Sequence, residues 1–402
     1  MSHLSASDTV DAPPTLSQQK RQRRGVLALC IGSCVVFANL YSAQPLLPLF
    51  ADTMALSELQ AAWALTISTL MLSLSFLVYG PLSDTLGRKP IMVATLCGMS
   101  VVTLAIAYAE SFSQLLWLRG LQGFLLGGLP AIAVAYMGEE FRAKGLATTI
   151  GLYISANSLG GISGRILSGI VAQYWDWPMV FLTLFVINIG VSFYFIIALP
   201  PSVHFQAHPL KPASLLHSLW IHLCNRRLLL AYIIGGLHFM IFLNQFSFIV
   251  FVLADAPYNL PSSLLGLLFV TYLSGSISSA IAGRVAGLLS QVGCIVTGSL
   301  LMIAGTLLTL TPNVVTIIGG LSIMSFGFFL AHSSLTAWVN QHAVQAKASA
   351  SSLYLVFYYM GASIGSLYLH PFWQWQQWVG IVIGSLIVLL VTSAIGISLS
   401  RR

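Results

Sequence analysis

Apolar stretches recur along the whole chain, separated by short breaks that are polar or rich in proline and glycine. The hydrocarbon core of a bilayer is roughly 30 Å thick, so one helical crossing needs about 20 apolar residues. The pattern therefore predicts an all-α membrane protein with twelve transmembrane helices. Their expected bounds are 25–49, 59–80, 90–109, 113–136, 145–171, 178–199, 228–254, 262–282, 291–311, 313–337, 347–369 and 377–399. Residues expected to break the chain between helices include Pro81, Gly87, Pro178, Pro200, Pro257, Pro312 and Pro371.

Composition agrees with a membrane protein and limits the function. Hydrophobic residues make up 57% of the 402 residues and charged residues only 7%, whereas a soluble domain carries about 25% charged residues. The five cysteines show neither metal-ligand spacing nor a disulfide framework. The chain has no Gly-x4-Gly-Lys phosphate loop. The stretch Gly361-Ala-Ser363-Ile-Gly365 fits a hydrolase elbow but lies inside an apolar helix. We expect no enzyme activity, no cofactor and no metal.

The distribution of charge predicts how the chain lies in the membrane. If the N-terminus is cytoplasmic, every lysine and arginine except Arg119 and Arg165 falls on the cytoplasmic side, as the positive-inside rule requires. The outer loops carry Asp52, Glu58, Glu110, Asp176 and Asp255. We expect a multi-pass protein of a bacterial inner membrane with both termini cytoplasmic. The net charge of +7 then reflects orientation and not nucleic-acid binding.

The pattern also predicts how the chain is organised. We expect a disordered cytoplasmic N-terminus (1–24), a six-helix bundle (25–199), a cytoplasmic linker (200–227) and a second six-helix bundle (228–402). Similar stretches begin at Gly123 and Gly327, which indicates two pseudo-symmetric halves with a solute site between them near the midplane. Apolar residues at helical spacing in the linker indicate an amphipathic helix on the membrane surface, and a disordered linker is the alternative. These residues are Leu215, Leu216, Leu219, Trp220 and Leu223.

One polar loop carries a family resemblance. Between the second and third predicted helices the chain reads Gly80-Pro-Leu-Ser-Asp84-Thr-Leu-Gly87-Arg88-Lys89. The order and spacing of these residues resemble the cytoplasmic signature of the major facilitator superfamily. The resemblance implies a secondary transporter with two six-helix halves that works by alternating access as a monomer. It also implies that Asp84 helps to lock the cytoplasmic gate against the start of the eleventh helix, near Lys347. Gly80 would let a helix of the other half approach closely.

Two further stretches resemble motifs of the same superfamily. The fourth helix contains Arg119-Gly-Leu-Gln122-Gly123, similar to a motif associated with proton coupling, although Arg119 could instead extend to the membrane surface. The fifth helix resembles a motif of drug and solute antiporters through Gly151, Gly160, Gly164 and Gly169. Arg165 and Ser168 stand where that motif has a proline and a glycine. Whatever the function, glycines at this spacing allow close helix packing.

Candidate site residues follow from the polar groups inside the helices. No aspartate or glutamate lies in the interior of a predicted helix, although intramembrane ionisable groups commonly relay protons. The coupling candidates are Arg119, Gln122, Arg165, Asp52 and His238. The candidate solute contacts are Asn39, Gln44, His238, Asn244, Gln245 and Tyr358, with Phe242, Phe246 and Trp338 as apolar walls. Hydrogen bonding between helices is the competing interpretation for each polar residue.

Three functions remain open at this point. The gate signature and the partial antiporter motif favour proton-coupled efflux of a small organic solute. The only charges inside predicted helices, Arg119 and Arg165, favour a carrier of organic anions instead. A membrane sensor that no longer transports is the third, because the second half reads Gly283-Arg284-Val-Ala-Gly287 and lacks the signature carboxylate. The expected partners are a small-molecule solute, the proton and the lipid bilayer, without nucleic acid.

Overall fold

The structure is a computed structural model that describes residues 16–141, 146–203, 205, 207, 212–343, 345 and 347–400. Within these ranges the chain is helical and contains no strand, which confirms the predicted all-α class. Residues 1–15 of the segment predicted to be disordered lie outside the described part, as does the side chain of Lys347. The same holds for several predicted cytoplasmic cations, namely Arg142, Lys144, Lys211, Arg401 and Arg402.

Eight α-helices precede the linker. They are α1 (Leu16–Tyr41), α2 (Leu47–Met54), α3 (Glu58–Leu86), α4 (Arg88–Ala107), α5 (Phe112–Leu126), α6 (Gly128–Glu140), α7 (Leu146–Tyr174) and α8 (Trp177–Ala198). A short 3₁₀ helix (Gln44–Leu46) joins α1 to α2 within the first predicted crossing. Gly87 separates α3 from α4 with a φ of 100°, a conformation that glycine adopts without steric cost.

Six further α-helices follow. They are α9 (Pro212–Cys224), α10 (Arg226–Ala254), α11 (Ser262–Leu267), α12 (Tyr272–Leu308), α13 (Val314–His342) and α14 (Lys347–Ser400). α12 bends sharply at Ser290, where φ is 64°, and α14 bends at Gln376 and Gln377, where φ is −145° and 45°. Both bends fall where the sequence predicts a break between two crossings.

Nine stretches of the described residues are long and apolar enough to cross a membrane. Two of them, 262–308 and 349–399, contain the bends in α12 and α14, so each holds two predicted crossings. α7 occupies the fifth predicted crossing but is not among the nine. These helices support a multi-pass membrane protein, and the count of twelve crossings stays a prediction.

Three predicted boundaries need correction. α1 begins at Leu16, so residues 16–24 belong to a helix and not to the predicted disordered segment; their glutamines, lysines and arginines are good helix formers. Pro81 lies inside α3 and Pro371 inside α14. Membrane helices tolerate proline because neighbouring groups satisfy the backbone atoms that it frees. The chain breaks instead at Gly87, which was also among the predicted breaks, and at Gln376, within the predicted gap after Pro371.

Helix pairing follows the same pattern in the two halves. α1 packs along α7, and α10 packs along α14. Across the halves, α3 packs against α14 and α7 packs against α11. In the linker, α9 leaves Leu216 and Trp220 exposed, whereas Leu219 and Leu223 pack against a cluster of the second half. The placement of α9 on a membrane surface stays a prediction.

Glycine makes the closest of these packings possible. A Cβ on Gly160 would lie 2.1 Å from the Cys34 carbonyl oxygen of α1, and one on Gly164 would lie 2.4 Å from Ala38 Cα. A Cβ on Gly169 would lie 2.4 Å from the Ser262 carbonyl oxygen of α11. A Cβ on Gly151 would meet nothing within 4 Å among the described residues. Three of the four predicted packing glycines therefore hold backbones together, and the fourth does not in this conformation.

We expect Gly160→Ala to destabilise the protein by about 1–3 kcal/mol, because the new methyl group must push α1 away from α7. Gly151→Ala is the matched control on the same helix, and there alanine should be neutral or stabilise the helix by about 0.5–1 kcal/mol. Melting temperatures of the detergent-purified variants measure both effects. Equal melting temperatures for the two variants would contradict this account of α1–α7 packing.

Candidate functional site

The two ends of the helical bundle differ in charge and in packing. We call the end with Arg88, Lys89, Arg226 and Arg227 the basic end, and the end with Asp52, Glu58, Asp176 and Asp255 the acidic end. Successive crossings of the chain begin at alternate ends of the bundle, and the named residues lie at the helix ends that fall together in this way. The basic end corresponds to the predicted cytoplasmic side.

The halves touch towards the acidic end and separate towards the basic end. Along α3 and α14, the Thr66 and Ser366 hydroxyls lie 3.0 Å apart, and the Phe76 and Tyr359 ring centroids lie 5.7 Å apart. Farther along, a Cβ on Gly80 would meet nothing within 4 Å. Among the described residues, the close approach expected at Gly80 is therefore not made, so α3 and α14 leave this conformation open at the basic end.

Arg119 is fully buried and lies in a hydrogen-bond network of the first half. Its Nε donates to the Ala64 carbonyl at 3.0 Å and Nη2 donates to the Leu40 carbonyl at 2.9 Å. Nη1 donates to the Asn39 carbonyl at 3.2 Å and to Gln122 Oε1. Each guanidinium nitrogen thus has a partner, and the side chain does not extend to the membrane surface.

Asn39 and Gln122 belong to the same network. Asn39 Nδ2 donates to Asn188 Oδ1 at 2.8 Å, and Asn39 Oδ1 accepts from the Thr103 hydroxyl at 3.1 Å. Gln122 Nε2 donates to the Thr103 hydroxyl at 2.7 Å. All of these side chains are buried. The network joins α1, α4, α5 and α8, so the structure places Asn39 and Gln122 where they hold the first half together.

Arg165 lies between the two halves. The Tyr41 ring of the first half lies 4.0 Å from the guanidinium carbon. Two rings of the second half, Phe269 and Tyr272, lie 4.5 and 4.8 Å from it. Nε donates to Gln44 Oε1 at 2.8 Å, and Nη1 donates to the Gly161 carbonyl at 2.9 Å. The side chain is only 1% exposed.

Two buried donors at this position have no partner among the described residues. Nη2 of Arg165 makes no hydrogen bond, and neither does the Tyr272 hydroxyl. A buried donor without an acceptor costs about 1–3 kcal/mol, more when it is charged. Because Arg165 Nη2 is charged and unsatisfied, the arrangement favours a ligand that brings an acceptor and a negative charge.

Gln44 connects Arg165 to the second half. Its Oε1 accepts from Arg165, while its Nε2 donates to the Leu243 carbonyl at 3.1 Å and to the Ser247 hydroxyl at 3.0 Å. Gln44 is fully buried near the acidic end. Of the predicted solute contacts, it is the one that touches Arg165 directly, and it also bridges the halves.

The remaining candidates of α10 lie in three environments. His238 Nε2 lies 2.9 Å from the Ser299 hydroxyl and 3.1 Å from the Thr392 hydroxyl, within the packing of the second half. Gln245 Nε2 donates to Thr306 at 3.0 Å. Asn244 Nδ2 donates to the Ala362 carbonyl of α14 at 2.8 Å. These contacts match the competing interpretation, in which polar side chains join helices.

Tyr358 belongs to a group of contacting rings in the second half. We call Phe239, Phe242, Phe246, Phe328 and Tyr358 the aromatic wall. Tyr358 stacks on Phe239 with ring centroids 3.8 Å apart, and Phe242 stacks on Phe328 at 4.0 Å. The Tyr272 ring lies 4.9 Å from Phe242, which joins the wall to the Arg165 site. Trp338, another predicted wall residue, stacks on His342 instead.

The gate signature forms ion pairs at the basic end. Asp84 Oδ1 lies 2.5 Å from Arg88 Nη1, and Arg88 Nη2 lies 2.6 Å from Glu139 Oε1 of α6. Lys89 Nζ donates to the carbonyl of Ile196 in α8 and to that of Leu199, the residue after α8. The described partner of Asp84 is therefore Arg88, within the first half. Asp52, the remaining coupling candidate, lies in α2 at the acidic end of the bundle and is exposed.

We expect Asp84→Asn to leave the melting temperature nearly unchanged but to reduce transport severalfold. The Asp84 side chain is 45% exposed in this open conformation, and an exposed ion pair contributes only about 0–1 kcal/mol. In the closed conformation, the same carboxylate would contact the other half. Glu110→Gln removes an exposed carboxylate of a predicted outer loop and serves as the control. Full transport by Asp84→Asn in proteoliposomes would instead show that the carboxylate has no role in the gate.

Several residues at these sites were not predicted from the sequence. Phe269 and Tyr272 face Arg165 from the other half, and Glu139 pairs with Arg88. Glu139 carried a weak signal, since it is an acidic residue at the basic end of a crossing. The two aromatic residues carried none, because rings are common throughout this apolar chain.

Comparison with known proteins adds independent evidence for the family. A profile described as the Major Facilitator Superfamily matches residues 29–366. YybF of Bacillus subtilis, an uncharacterized MFS-type transporter, is 40% identical over 346 residues, 86% of each chain. The inner membrane transport protein YnfM of Escherichia coli is 33% identical over 414 residues, 99% of each chain.

Solved structures share the fold. A bacterial homologue of the human lysosomal transporter Spinster, in an inward-facing and occupied conformation, aligns with a TM-score of 0.72 at 14% identity and covers 94% of this chain and 97% of its own. The human organic anion transporter MFSD10 aligns with a TM-score of 0.68 at 16% identity, covering 96% and 100%. At these identities the likeness concerns the fold alone. The profile match and the nearly full-length relatives show that the chain belongs to the Major Facilitator Superfamily of membrane transporters.

Proposed function

We propose that this transporter carries a small organic anion by alternating access and that Arg165 binds the anionic group. The observation that carries the proposal is the guanidinium of Arg165, which is buried between the halves with Nη2 unpartnered. Charged groups in the membrane interior are expensive and commonly line substrate pathways. An anion at Nη2 would supply the missing acceptor and neutralise the charge.

Arg165 suits this role and Arg119 does not, because their hydrogen bonds differ. All three guanidinium nitrogens of Arg119 already have partners within the first half. Arg165 keeps one nitrogen unpartnered and is enclosed by rings from both halves. The contacts of a group that touches both halves change when the halves move, so its affinity for a solute depends on which end of the transporter is closed. Of the two arginines that the sequence offers to an organic anion, Arg165 is therefore the one that we assign to the binding site.

The open basic end suggests how alternating access would use this site. At the acidic end, Gln44 joins Arg165 to Ser247 of α10, and Gly169 lies against α11. An anion entering from the basic end would reach Arg165 while these contacts hold the acidic end closed. Opening the acidic end would require Gln44 to release α10, and the Asp84 signature would then close the basic end.

Direction and coupling are part of the same proposal. We place the basic end and both termini in the cytoplasm, as the distribution of lysine and arginine favours. The partial antiporter motif of α7 supports export in exchange for protons. The described spans offer no carboxylate in their interior as the proton carrier, so coupling would use another group.

Flux of sulfonates in proteoliposomes tests the proposal. Sulfonates stay anionic at all working pH values and do not leak through lipid as neutral acids. We expect saturable exchange of labelled benzenesulfonate or cyclohexanesulfonate, accelerated by a pH gradient, and no flux of the neutral benzenesulfonamide beyond that seen in protein-free liposomes. Absence of exchange for every sulfonate would refute the anion carrier. Exchange that ignores the pH gradient would refute proton coupling alone.

A further inference from the structure

We infer that the solute is a monoanion with a planar aromatic body. The inference rests on the proposed function and narrows its solute class. Two independent features of the site support it: the number of charges available to a solute, and the composition of the surface beside Arg165.

The charges of the described spans allow one negative group and exclude a positive one. Arg119 and Arg165 are the only lysine or arginine residues in the interior of these spans, and the donors of Arg119 are occupied. A second anionic group would therefore be buried without a counter-charge. No aspartate or glutamate lies in the interior of the described spans, so an ammonium group would lack a partner too. Dianions and zwitterions both leave a costly unpaired charge.

The surface beside Arg165 is made of ring faces. Tyr41, Phe269 and Tyr272 enclose the guanidinium. From Tyr272 the rings continue to Phe242 at 4.9 Å and on to Phe328 at 4.0 Å. A solute whose anionic group lies at Nη2 must place its body among these rings.

The geometry of the rings favours a planar body. Phe242 and Phe328 stack at an interplanar angle of 3°, and Phe239 and Tyr358 at 11°. A flat aromatic solute can stack in the same way when it takes the place of one ring of such a pair. Aromatic pairs contribute about 0.5–1.5 kcal/mol beyond their buried area, which a saturated ring does not gain. The unpartnered Tyr272 hydroxyl offers a further donor to the anion.

Competition for exchange in proteoliposomes tests the inference. Labelled sulfonate exchange is inhibited with benzenesulfonate, cyclohexanesulfonate and benzene-1,3-disulfonate. We expect cyclohexanesulfonate to need at least about tenfold more compound than benzenesulfonate, as two stacking contacts predict. The disulfonate should compete no better than cyclohexanesulfonate.

Two phenylalanines of α10 provide the variant and its control. Phe242 lies in the aromatic wall, whereas Phe248 packs against Trp373 with centroids 5.3 Å apart. Phe242→Leu should remove the preference for benzenesulfonate, and Phe248→Leu should retain it. Equal inhibition by the planar and saturated rings, with exchange still dependent on Arg165, would overturn the aromatic solute but keep the anion carrier. Exchange that does not depend on Arg165 would overturn both.

Discussion

Arg165→Gln is expected to weaken anion binding by at least about 30-fold, which corresponds to about 2 kcal/mol. Removing one partner of a buried, hydrogen-bonded charge pair costs about 2–5 kcal/mol. Glutamine can still bond to Gln44 but brings no positive charge to the position of Nη2. The measurement is the concentration of benzenesulfonate that half-saturates exchange, or that gives half-maximal thermal stabilisation in detergent.

Two further substitutions separate charge from geometry. Arg165→Lys keeps the positive charge but loses the planar fork that reaches Gln44 and the anion together, so an intermediate affinity is expected. Tyr272→Phe keeps the ring beside the guanidinium and removes only its unpartnered hydroxyl, so affinity should fall by less than it does for Arg165→Gln. If Arg165→Gln binds the sulfonate like the wild type, Arg165 is a packing residue and the proposed site is wrong.

The folded state should tolerate these changes at Arg165. In the absence of a solute, the guanidinium is a buried cation with an unpartnered nitrogen, and removing such a charge relieves a desolvation cost. The cation–π contacts that are lost contribute about 0.5–2 kcal/mol each. These opposing terms predict a small change in melting temperature, so a loss of transport would report on binding.

Much of the fold could be predicted because lipid imposes a simple requirement. Every crossing needs a long apolar helix, so the polar stretches around Ser290 and Gln376 marked real bends. The helix breaks predicted at Pro81 and Pro371 were wrong, because neighbouring groups can accommodate a proline inside a membrane helix. The family signature was predictable for another reason, since its charged residues stand out at one end of an apolar chain.

The site was predictable only in part, because convergence between the halves is not visible along the chain. Arg165 stood out as a charge in an apolar helix. Asn39 and Gln44 looked alike in the sequence, five residues apart. The short 3₁₀ helix after Tyr41 turns Gln44 towards α10, while Asn39 faces α8. Phe269 lies just before α12 and Tyr272 begins it, and both could be recognised only once folding had brought this segment against α7.

Arg119→Gln is expected to prevent accumulation of folded protein, in contrast to Arg165→Gln. Arg119 donates to the Asn39 and Leu40 carbonyls at the end of α1 and to the Ala64 carbonyl of α3. The last carbonyls of a helix have no partner within it, and α1 ends at Tyr41, within the candidate span of residues 20–54. A cation at that end also interacts favourably with the helix dipole.

The size of the effect follows from the charge-assisted hydrogen bonds that glutamine would lose. The Asn39 and Ala64 carbonyls keep the hydroxyls of Ser42 and Ser68 as partners, but glutamine is too short to replace all three bonds of the guanidinium. Each hydrogen bond to a charged group contributes about 1.5–3 kcal/mol, so the loss of two or three approaches the 5–15 kcal/mol that typically separates folded from unfolded protein. Size-exclusion profiles and melting temperatures of Arg119→Gln and Arg165→Gln, expressed in parallel, measure the difference. A monodisperse Arg119→Gln with a wild-type melting temperature and no pH-driven flux would assign Arg119 to proton coupling, because a cap of α1 cannot be removed without loss of stability.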